Sequence, residues 1–494
     1  MTDYQKDQTS ALLLLMVSIL SFMLMCKTSV NAQEVLSLDM VLSMVQEENA
    51  QVKMAENGIR AADLDFKFYK SQLKPIFNVQ ASLPDYIKTS TSVVQPNGTI
   101  AFQSVEQANS AFSLNANQVI SATGGRFFLR SDLTRFDDIP GEFTQFNGIP
   151  FRIGFTQPLF GYNPWKYQKQ LQPLFKDEAG RQYVTAVEEA FMTATNLYFD
   201  ILISKQNRDI AITNQEVNER LLEITEERFE LGKVSKDEKL QLEIELNNAK
   251  LNVSQATFAY ENAVAALFTY LGTDEVDLSK DFVLPDVVAF NSVNIPALLA
   301  TAAKHRPEVI AFQRELVQKE DELARTKNQF GIQADLTASY GFARGSMEVG
   351  DIYSDPFDEQ QFNLRVSMPI FDWGRKKAAT DRVKVDLENI SIDYQQQLLE
   401  LDNLIEQQAL RFASLQNEID LLQSIVEAAE QRFEISNERY ILGNIDITNL
   451  TLAQREKDQT KRNYINALQT YWVTYFRLRM LSGFDIAKNQ EIIY

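Results

Sequence analysis

The sequence predicts a mainly α-helical chain with a smaller β part, in which one unit is repeated in tandem. Three observations predict this fold class. The chain matches itself at constant offsets, which is typical of an internal repeat. Long stretches place apolar residues in heptads, which indicates coiled-coil helices. Short stretches alternate apolar and polar residues, which indicates strands with two different faces.

The repeat is clearest in a motif that ends in glycine. The run ERFELG at 227–232 matches ERYILG at 438–443, at an offset of 211 residues. An offset of 257 joins the earlier part, where the segment from Leu38 matches the segment from Ile295. Each copy therefore reads helix, strand, loop, strand, long helix, turn, helix.

The N-terminus has the features of a secretory signal. Lys6 precedes an apolar run at 11–25, which is shorter than the ~20 residues that span a bilayer. Val30 and Ala32 then provide small residues at the two positions that a signal peptidase reads. We therefore expect a signal peptide over residues 1–32, cleaved after Ala32. The single cysteine, Cys26, would leave with it, and a lipid attached to Cys26 is the alternative.

The composition excludes several classes of function. The chain of 494 residues carries a formal net charge of −19, whereas a nucleic-acid-binding protein needs a basic face. It has one histidine, His305, whose place before a proline fits a helix C-terminus. None of the motifs HExxH, GxSxG, CxxC or GxGxxG occurs. We expect no catalytic residues, metal or cofactor; a hydrolase with paired carboxylates is disfavoured because the acids lie on predicted helix surfaces.

Four strands of about ten residues are predicted, long enough to cross a bilayer. They lie near 75–84, 151–160, 332–342 and 362–371. A soluble sandwich and a membrane barrel both show this alternation. Since a closed barrel needs about eight strands, a barrel would have to be shared between subunits.

The first copy carries an insertion, because the two offsets differ by 46 residues. It falls between Leu83 and Phe151. Within it, 113–121 and 126–134 alternate around a Thr-Gly-Gly sequence, which predicts one more hairpin. Whether that hairpin joins the other strands or covers them stays open at this point.

Two long helices are predicted, at about 168–231 and 375–442. At 1.5 Å per residue, each would be roughly 100 Å long. The helix after the first of them continues the heptads through Leu242, Leu246, Ala249, Val253, Ala256, Tyr260, Ala263, Leu267 and Tyr270.

Each long helix is predicted to end in a tight turn. Gly232 and Gly443 fit left-handed C-terminal caps. Ser235, and Asp446 or Thr448, are positioned to cap the returning helices. Each copy therefore has a helical hairpin with a polar, glycine-containing tip.

The chain resembles the TolC-like outer membrane factors. The motifs that carry this resemblance are the opening LSLDMVLSMVQEENAQV, the strand-ending QPLF and MPIF, both tip motifs and the terminal LSGFD. The resemblance implies a homotrimer in which each subunit lends four strands to a twelve-stranded transmembrane β-barrel. It also implies a long coiled-coil α-helical barrel that crosses the periplasm. The tips would meet a periplasmic adaptor (membrane fusion) protein and, through it, an inner-membrane pump.

The resemblance also implies a domain plan. The first outer-membrane-efflux repeat is expected at 33–273, a linker at 274–294, the second repeat at 295–485 and a C-terminal tail at 486–494. The expected function is an outer-membrane channel subunit of a tripartite efflux or type I secretion system, in contact with outer-membrane lipid. A periplasmic coiled-coil adaptor or scaffold is the alternative. The sequence does not indicate the cargo, the pump or the adaptor.

The tips supply the candidate site residues. For adaptor docking these are Phe229, Leu231, Gly232, Tyr440, Leu442 and Gly443. A possible aperture is formed by Asp237, Glu238, Asp446 and Asn449. Some family members place acids where this chain has Asn449 and Leu452, which leaves an acidic aperture in question. The alternative is that these acidic residues are solvated groups at helix N-termini, where the helix dipole favours negative charge.

Overall fold

A computed structural model of the chain describes residues 35–273, 276–287 and 293–492. The predicted signal peptide, with Cys26 and Ala32, lies outside these ranges, as does part of the predicted 274–294 linker. The described elements up to Leu271 are β1 Val35–Leu36, α1 Leu38–Glu48, α2 Ala50–Gln72, β2 Ile76–Val94, β3 Ile100–Ile120, β4 Gly125–Asp138, β5 Phe143–Pro158, α3 Pro164–Glu230 and α4 Lys236–Leu271.

The remaining described elements continue in the same order. They are β6 Asp281–Phe282, α5 Ile295–His305, α6 Pro307–Gln329, β7 Gln333–Ser346, α7 Val349–Ser354, β8 Phe357–Ser367, α8 Arg375–Ile441, α9 Ile447–Ser482, β9 Phe484–Asp485 and β10 Gln490–Glu491. His305 ends α5, as the sequence predicted.

The helices confirm the internal repeat. α1 and α5 have 11 residues each, and α2 and α6 have 23 each. α3 and α8 have 67 residues each, and α4 and α9 have 36 each. The bounds of the first two pairs differ by 257 and those of the last two by 211, the offsets found in the sequence.

The long helices begin and pack as their residues predict. α3 starts with Pro164, where a missing N–H costs nothing, and continues through Pro173. In α4 the heptad residues Leu242, Leu246 and Leu267 are buried, as a coiled-coil seam requires. Among the described residues, no helix is both long and apolar enough to cross a membrane.

The described strands show that the inserted hairpin joins the other strands. The four predicted strands and the two of the hairpin form one antiparallel sheet in the order β2-β3-β4-β5-β7-β8. β3 and β4 are the insertion of the first copy, and they pair with each other from Ile120↔Gly125 to Gln107↔Asp138. The resemblance implied four strands per subunit, whereas the sheet of the described residues has six.

The strand ends also differ from the prediction. β2 runs on to Val94 because β3 supplies a partner along its whole length. Pro84 lies where the β2–β3 register shifts, a place where a strand tolerates proline. β8 ends at Ser367, before Pro369, so the predicted strand at 362–371 begins and ends too late.

The chain folds into two compact units that cut across the sequence repeats. The tip unit takes Met1–Ala50, Ala190–Ala289 and Phe412–Phe476, so far as these are described. The sheet unit takes Gln51–Glu189, Phe290–Arg411 and Arg477–Tyr494, with the same restriction. Each unit draws on both copies, because α3 and α8 contribute residues to both.

A buried ion cluster lies in the sheet unit. Arg479 of α9 donates to both carboxylate oxygens of Glu188 at 2.7–3.1 Å and to Asp485 at 2.5 Å. The side chain of Glu188 has no exposed surface, and that of Asp485 is 4% exposed. The guanidinium therefore compensates two desolvated carboxylates and joins α3, α9 and β9.

Replacing Arg479 with leucine should lower the free energy of unfolding by about 3–5 kcal/mol, because Glu188 would lose its guanidinium in a buried site. The matched control is Arg477→Leu, an exposed arginine on the same helix, for which we expect a change within about 0.5 kcal/mol. Thermal unfolding in detergent measures both variants. Equal melting temperatures for the two would show that the cluster does not stabilise the fold.

Candidate functional site

The tip unit contains two helical turns of the same design. Tip 1 is the turn 231–235 together with the ends of α3 and α4 that flank it, and tip 2 is the turn 442–446 together with the flanking ends of α8 and α9. Gly232 has φ 69° and Gly443 has φ 76°, which side chains with a Cβ rarely adopt. Both glycines therefore end their helices in the left-handed region, as predicted.

Matching hydrogen bonds close the two turns. In tip 1, Gly232 N donates to Phe229 O at 2.9 Å and Lys233 N to Arg228 O at 2.9 Å. In tip 2 the equivalent bonds, from Gly443 N to Tyr440 O and from Asn444 N to Arg439 O, measure 2.9 and 2.8 Å. This pair of bonds is the Schellman motif, which satisfies the last carbonyls of each helix.

The predicted N-caps are also present. Ser235 Oγ accepts from Glu238 N at 3.1 Å. Asp446 Oδ1 accepts from Asn449 N at 2.8 Å and from the Asn449 side chain at 2.9 Å, so Asp446, not Thr448, caps α9. Three predicted aperture residues therefore take part in caps: Glu238, Asp446 and Asn449. Asp237 is exposed in the first turn of α4. Their role as an aperture stays a prediction.

The stems of the two hairpins share a buried core, which we call the tip core. It consists of Leu221, Leu242, Tyr440, Ile447 and Leu450. All four long helices contribute to it, so the two tips of one chain are held together by apolar burial.

The tip core corrects one predicted docking residue. Tyr440 is 2% exposed and cannot offer a surface to a partner, whereas Leu231 and Leu442 are 68% and 73% exposed. The helix turns the side chain of Tyr440 inward, toward the seam, and leaves the leucine two residues later in solvent. Phe229, at the position that matches Tyr440, is 38% exposed.

A contact between the tips was missed in the sequence. Arg228 of α3 donates to Ile441 O of α8 at 2.8 Å, and its guanidinium lies 5.9 Å from the ring centre of Tyr440. Arg228 and Arg439 are both the arginine of the motif ER(F/Y)xLG. The recurrence of this arginine in both copies was the one sign in the sequence that it has a role. It does not show which residue the side chain contacts.

Tip 1 also carries a charge pair between a half-buried lysine and an exposed glutamate. Lys239 Nζ lies 3.1 Å from the Glu226 carboxylate and 5.8 Å from the ring centre of Phe229. The hydrogen bond that Lys239 donates to Glu226 raises the pKa of the ammonium above its usual value. Tip 1 therefore keeps a positive charge beside its aromatic residue at neutral pH.

The family described as "Outer membrane efflux protein" matches residues 144–273 and 298–483, one segment in each copy of the repeat. The chain belongs to the outer membrane efflux protein family. It is an outer-membrane channel subunit of the kind that serves tripartite efflux or secretion systems, and it extends into the periplasm.

Two relatives of this efflux protein have different named roles. The alkaline protease secretion protein AprF of Pseudomonas aeruginosa is 21% identical over 355 residues, which cover 69% of this chain and 71% of AprF. The cobalt-zinc-cadmium resistance protein CzcC of Cupriavidus metallidurans is 24% identical over 282 residues, 56% of this chain and 63% of CzcC. The cargo is therefore not indicated by similarity alone.

A solved structure shares the fold of the efflux protein. The CmeC outer membrane channel of Campylobacter jejuni superposes with a TM-score of 0.65 at 16% identity, covering 90% of this chain and 85% of CmeC. The predicted fold class, a TolC-like α-helical and β-barrel architecture, is thereby confirmed. The family is one of efflux proteins and not of enzymes; that this chain catalyses nothing stays a prediction.

Tyr440 and Leu442 of the efflux protein should respond differently to truncation. Tyr440→Ala should lower the free energy of unfolding by about 3–5 kcal/mol, because it leaves a cavity in the tip core. Leu442→Ala should change it by less than about 0.5 kcal/mol, because that side chain is exposed. Chemical denaturation followed by circular dichroism measures both, and a larger loss for Leu442→Ala would show that the two side chains have been assigned the wrong way round.

Proposed function

We propose that three copies of this chain form one channel through the outer membrane and periplasm, and that its tips bind a periplasmic adaptor protein and, through it, an inner-membrane pump. The observation that carries the proposal is the sheet, which has an apolar face and two edges, at β2 and β8, without a partner in the described residues. We also propose that the repeats span 33–273 and 295–485 as channel domains. The channel exports a solute or a polypeptide.

The apolar face of the sheet supports contact with lipid. Register and alternation place large apolar side chains on one face of all six strands. Many of them are exposed in the single chain, including Phe77, Val79, Phe112, Leu114, Phe127, Leu129, Phe151, Ile153, Tyr340, Phe362, Leu364 and Val366. A continuous exposed apolar face of this size marks an interaction site, and alternation with a polar face is typical of outer-membrane strands.

The polar face supports a water-filled interior. Cross-strand neighbours on this face include Asn78, Asn115, Arg130, Arg152 and Glu359. Arg152 forms an ion pair with Glu359, which leaves two opposite charges balanced on the polar face. Outer-membrane channels carry such charged groups on the lumen side, where water solvates them.

An arginine placed on each face of β8 tests the assignment. Phe362 lies mid-strand on the apolar face, so Phe362→Arg should cost about 2–4 kcal/mol of assembly free energy. Asn363→Arg, its neighbour on the polar face, should be tolerated. Native mass spectrometry in detergent, with heating, measures the stability of the trimer. A stable monomer of the unchanged protein would contradict the shared barrel, and the reverse ranking would invert the faces.

The exposed leucines support docking at the tips. Leu231 and Leu442 precede the two capping glycines and are exposed, whereas the other apolar residues of the two turns, Val234 and Ile445, are half-buried. Single exposed leucines are common, but here the same residue is exposed at the same place in both copies. A partner that contacts both tips would meet two equivalent apolar points.

The repeat predicts how the tips close between subunits. Arg228 of tip 1 donates to Ile441 O of tip 2 in the same chain. At the offset of 211, Arg228 matches the exposed Arg439, and Ile441 matches Glu230. In a ring of three chains the two kinds of tip alternate. We therefore expect Arg439 to donate to the Glu230 carbonyl of the neighbouring copy, so that both kinds of contact hold the inner end closed.

Removing either arginine should open the channel. Arg439→Ala should raise the open probability in planar bilayers severalfold, because it removes the charge-assisted hydrogen bond proposed between neighbouring copies. Arg228→Ala should raise it less, because the tip core still joins the two tips of one chain. Arg432→Ala, which removes an exposed ion pair with Glu456 farther from the turn, is the control and should behave as the unchanged protein. If only Arg228→Ala opens the channel, Arg439 makes no contact between subunits.

A further inference from the structure

The inserted hairpin β3–β4 lies within the sheet. In the second copy, the counterparts of β2 and β5 are β7 and β8, which pair directly with each other. In the first copy β3 and β4 separate β2 from β5, through pairing of β2 with β3, β3 with β4 and β4 with β5. The insertion therefore adds two strands to the wall of the sheet and does not form a loop that lies over it.

The inserted strands have the same two faces as their neighbours. Leu114 of β3 pairs with Val79 of β2, and Phe127 of β4 packs edge-on against Phe155 of β5 at 6.2 Å between ring centres. These side chains continue the apolar face, which at this place also holds Gln118 and Ser131. On the other face, Ser113 and Asp132 are cross-strand partners, so the polar face continues too. A hairpin that capped the mouth would not need this match.

The turn between β3 and β4 is fixed to the base of the sheet. Asn163, which precedes α3, donates from its side-chain amide to Ser121 O at 2.9 Å and to Ala122 O at 3.2 Å. Thr123 donates to the Gln157 side chain at 2.7 Å. The inserted strands are thus anchored where the strand–helix connections of the sheet lie.

We propose that the outer-membrane pore of this protein is an 18-stranded barrel, six strands from each of three copies. The proposal rests on the trimer proposed above. Six is an even number, so β8 of one copy runs antiparallel to β2 of the next, and the 11 residues of β8 can pair along β2. The occupant of each open edge is therefore a second copy of this chain.

The added strands change the width of the pore. With ~4.8 Å between strands and a tilt of ~40°, 18 strands give a backbone diameter of roughly 36 Å, against roughly 24 Å for 12. Barrels of 16–18 strands leave an aqueous channel when nothing fills them. The size limit for a solute then lies in the helical part of the channel, and the barrel admits solutes that the tips exclude.

The first experiment measures pore width with neutral polymers. In planar bilayers, polyethylene glycols of increasing size are added on the barrel side and the largest that lowers the conductance is recorded. The matched variant replaces residues 90–145 with residues 347–356, the connection that joins the corresponding strands in the second copy. We expect its cut-off radius on the barrel side to fall by about one third, with the cut-off from the tip side unchanged.

The second experiment does not depend on the folding of that variant. Leu114→Arg on the apolar face of β3 should lower the thermal stability of the trimer as much as Phe362→Arg on β8 does. Ser113→Arg, on the polar face beside Asp132, should be tolerated. If Leu114→Arg is also tolerated, β3 does not face lipid and the 18-stranded barrel is wrong.

Native mass separates the two possible failures. A monomer would overturn the proposed trimer and, with it, the barrel. A trimer whose polymer cut-off is the same with and without the insertion would overturn only the 18-stranded barrel, because the hairpin would then lie outside the wall of the pore.

Discussion

A sheet with two open edges leaves a row of backbone N–H and C=O groups unpaired on each side. In the part of this chain that the structure describes, the edges are β2 and β8, and the strands between them carry an apolar face. In a bilayer, each unsatisfied backbone group costs several kcal/mol, so such a sheet is stable only when its edges are paired. The requirement for neighbours therefore follows from the backbone, and the side chains decide which face meets lipid.

The repeat shows which parts of the chain tolerate change. The four pairs of equivalent helices kept their lengths between the copies, down to the last residue. The sheet part instead gained 46 residues in one copy. Helices packed by heptads lose their register if a residue is added, because the apolar seam rotates away from its neighbour. An antiparallel hairpin can be added to a sheet as a pair without changing the direction of any other strand.

The sequence predicted the helices and their ends well because each signal is local. Gly232 and Gly443 fix the left-handed caps, and Ser235 and Asp446 cap the helices that follow. Only the second half of β3 was predicted. Its first part, IAFQSVEQAN, lacks regular apolar alternation, and it forms a strand because it pairs with β2. The contact from Arg228 to tip 2 and the burial of Tyr440 depend on how helices distant in sequence pack, which no local pattern shows.

The two tips began as copies but are no longer equivalent. Within one chain, Tyr440 lies in the tip core beneath Arg228, whereas its counterpart Phe229 is 38% exposed. In the proposed ring of three chains, the six tips therefore meet through two alternating kinds of gap. The gap within a chain is closed by a buried apolar core and an arginine. Because separating apolar groups from one another costs free energy in proportion to the buried area, we infer that the two hairpins of one chain stay together and move as one body when the channel opens.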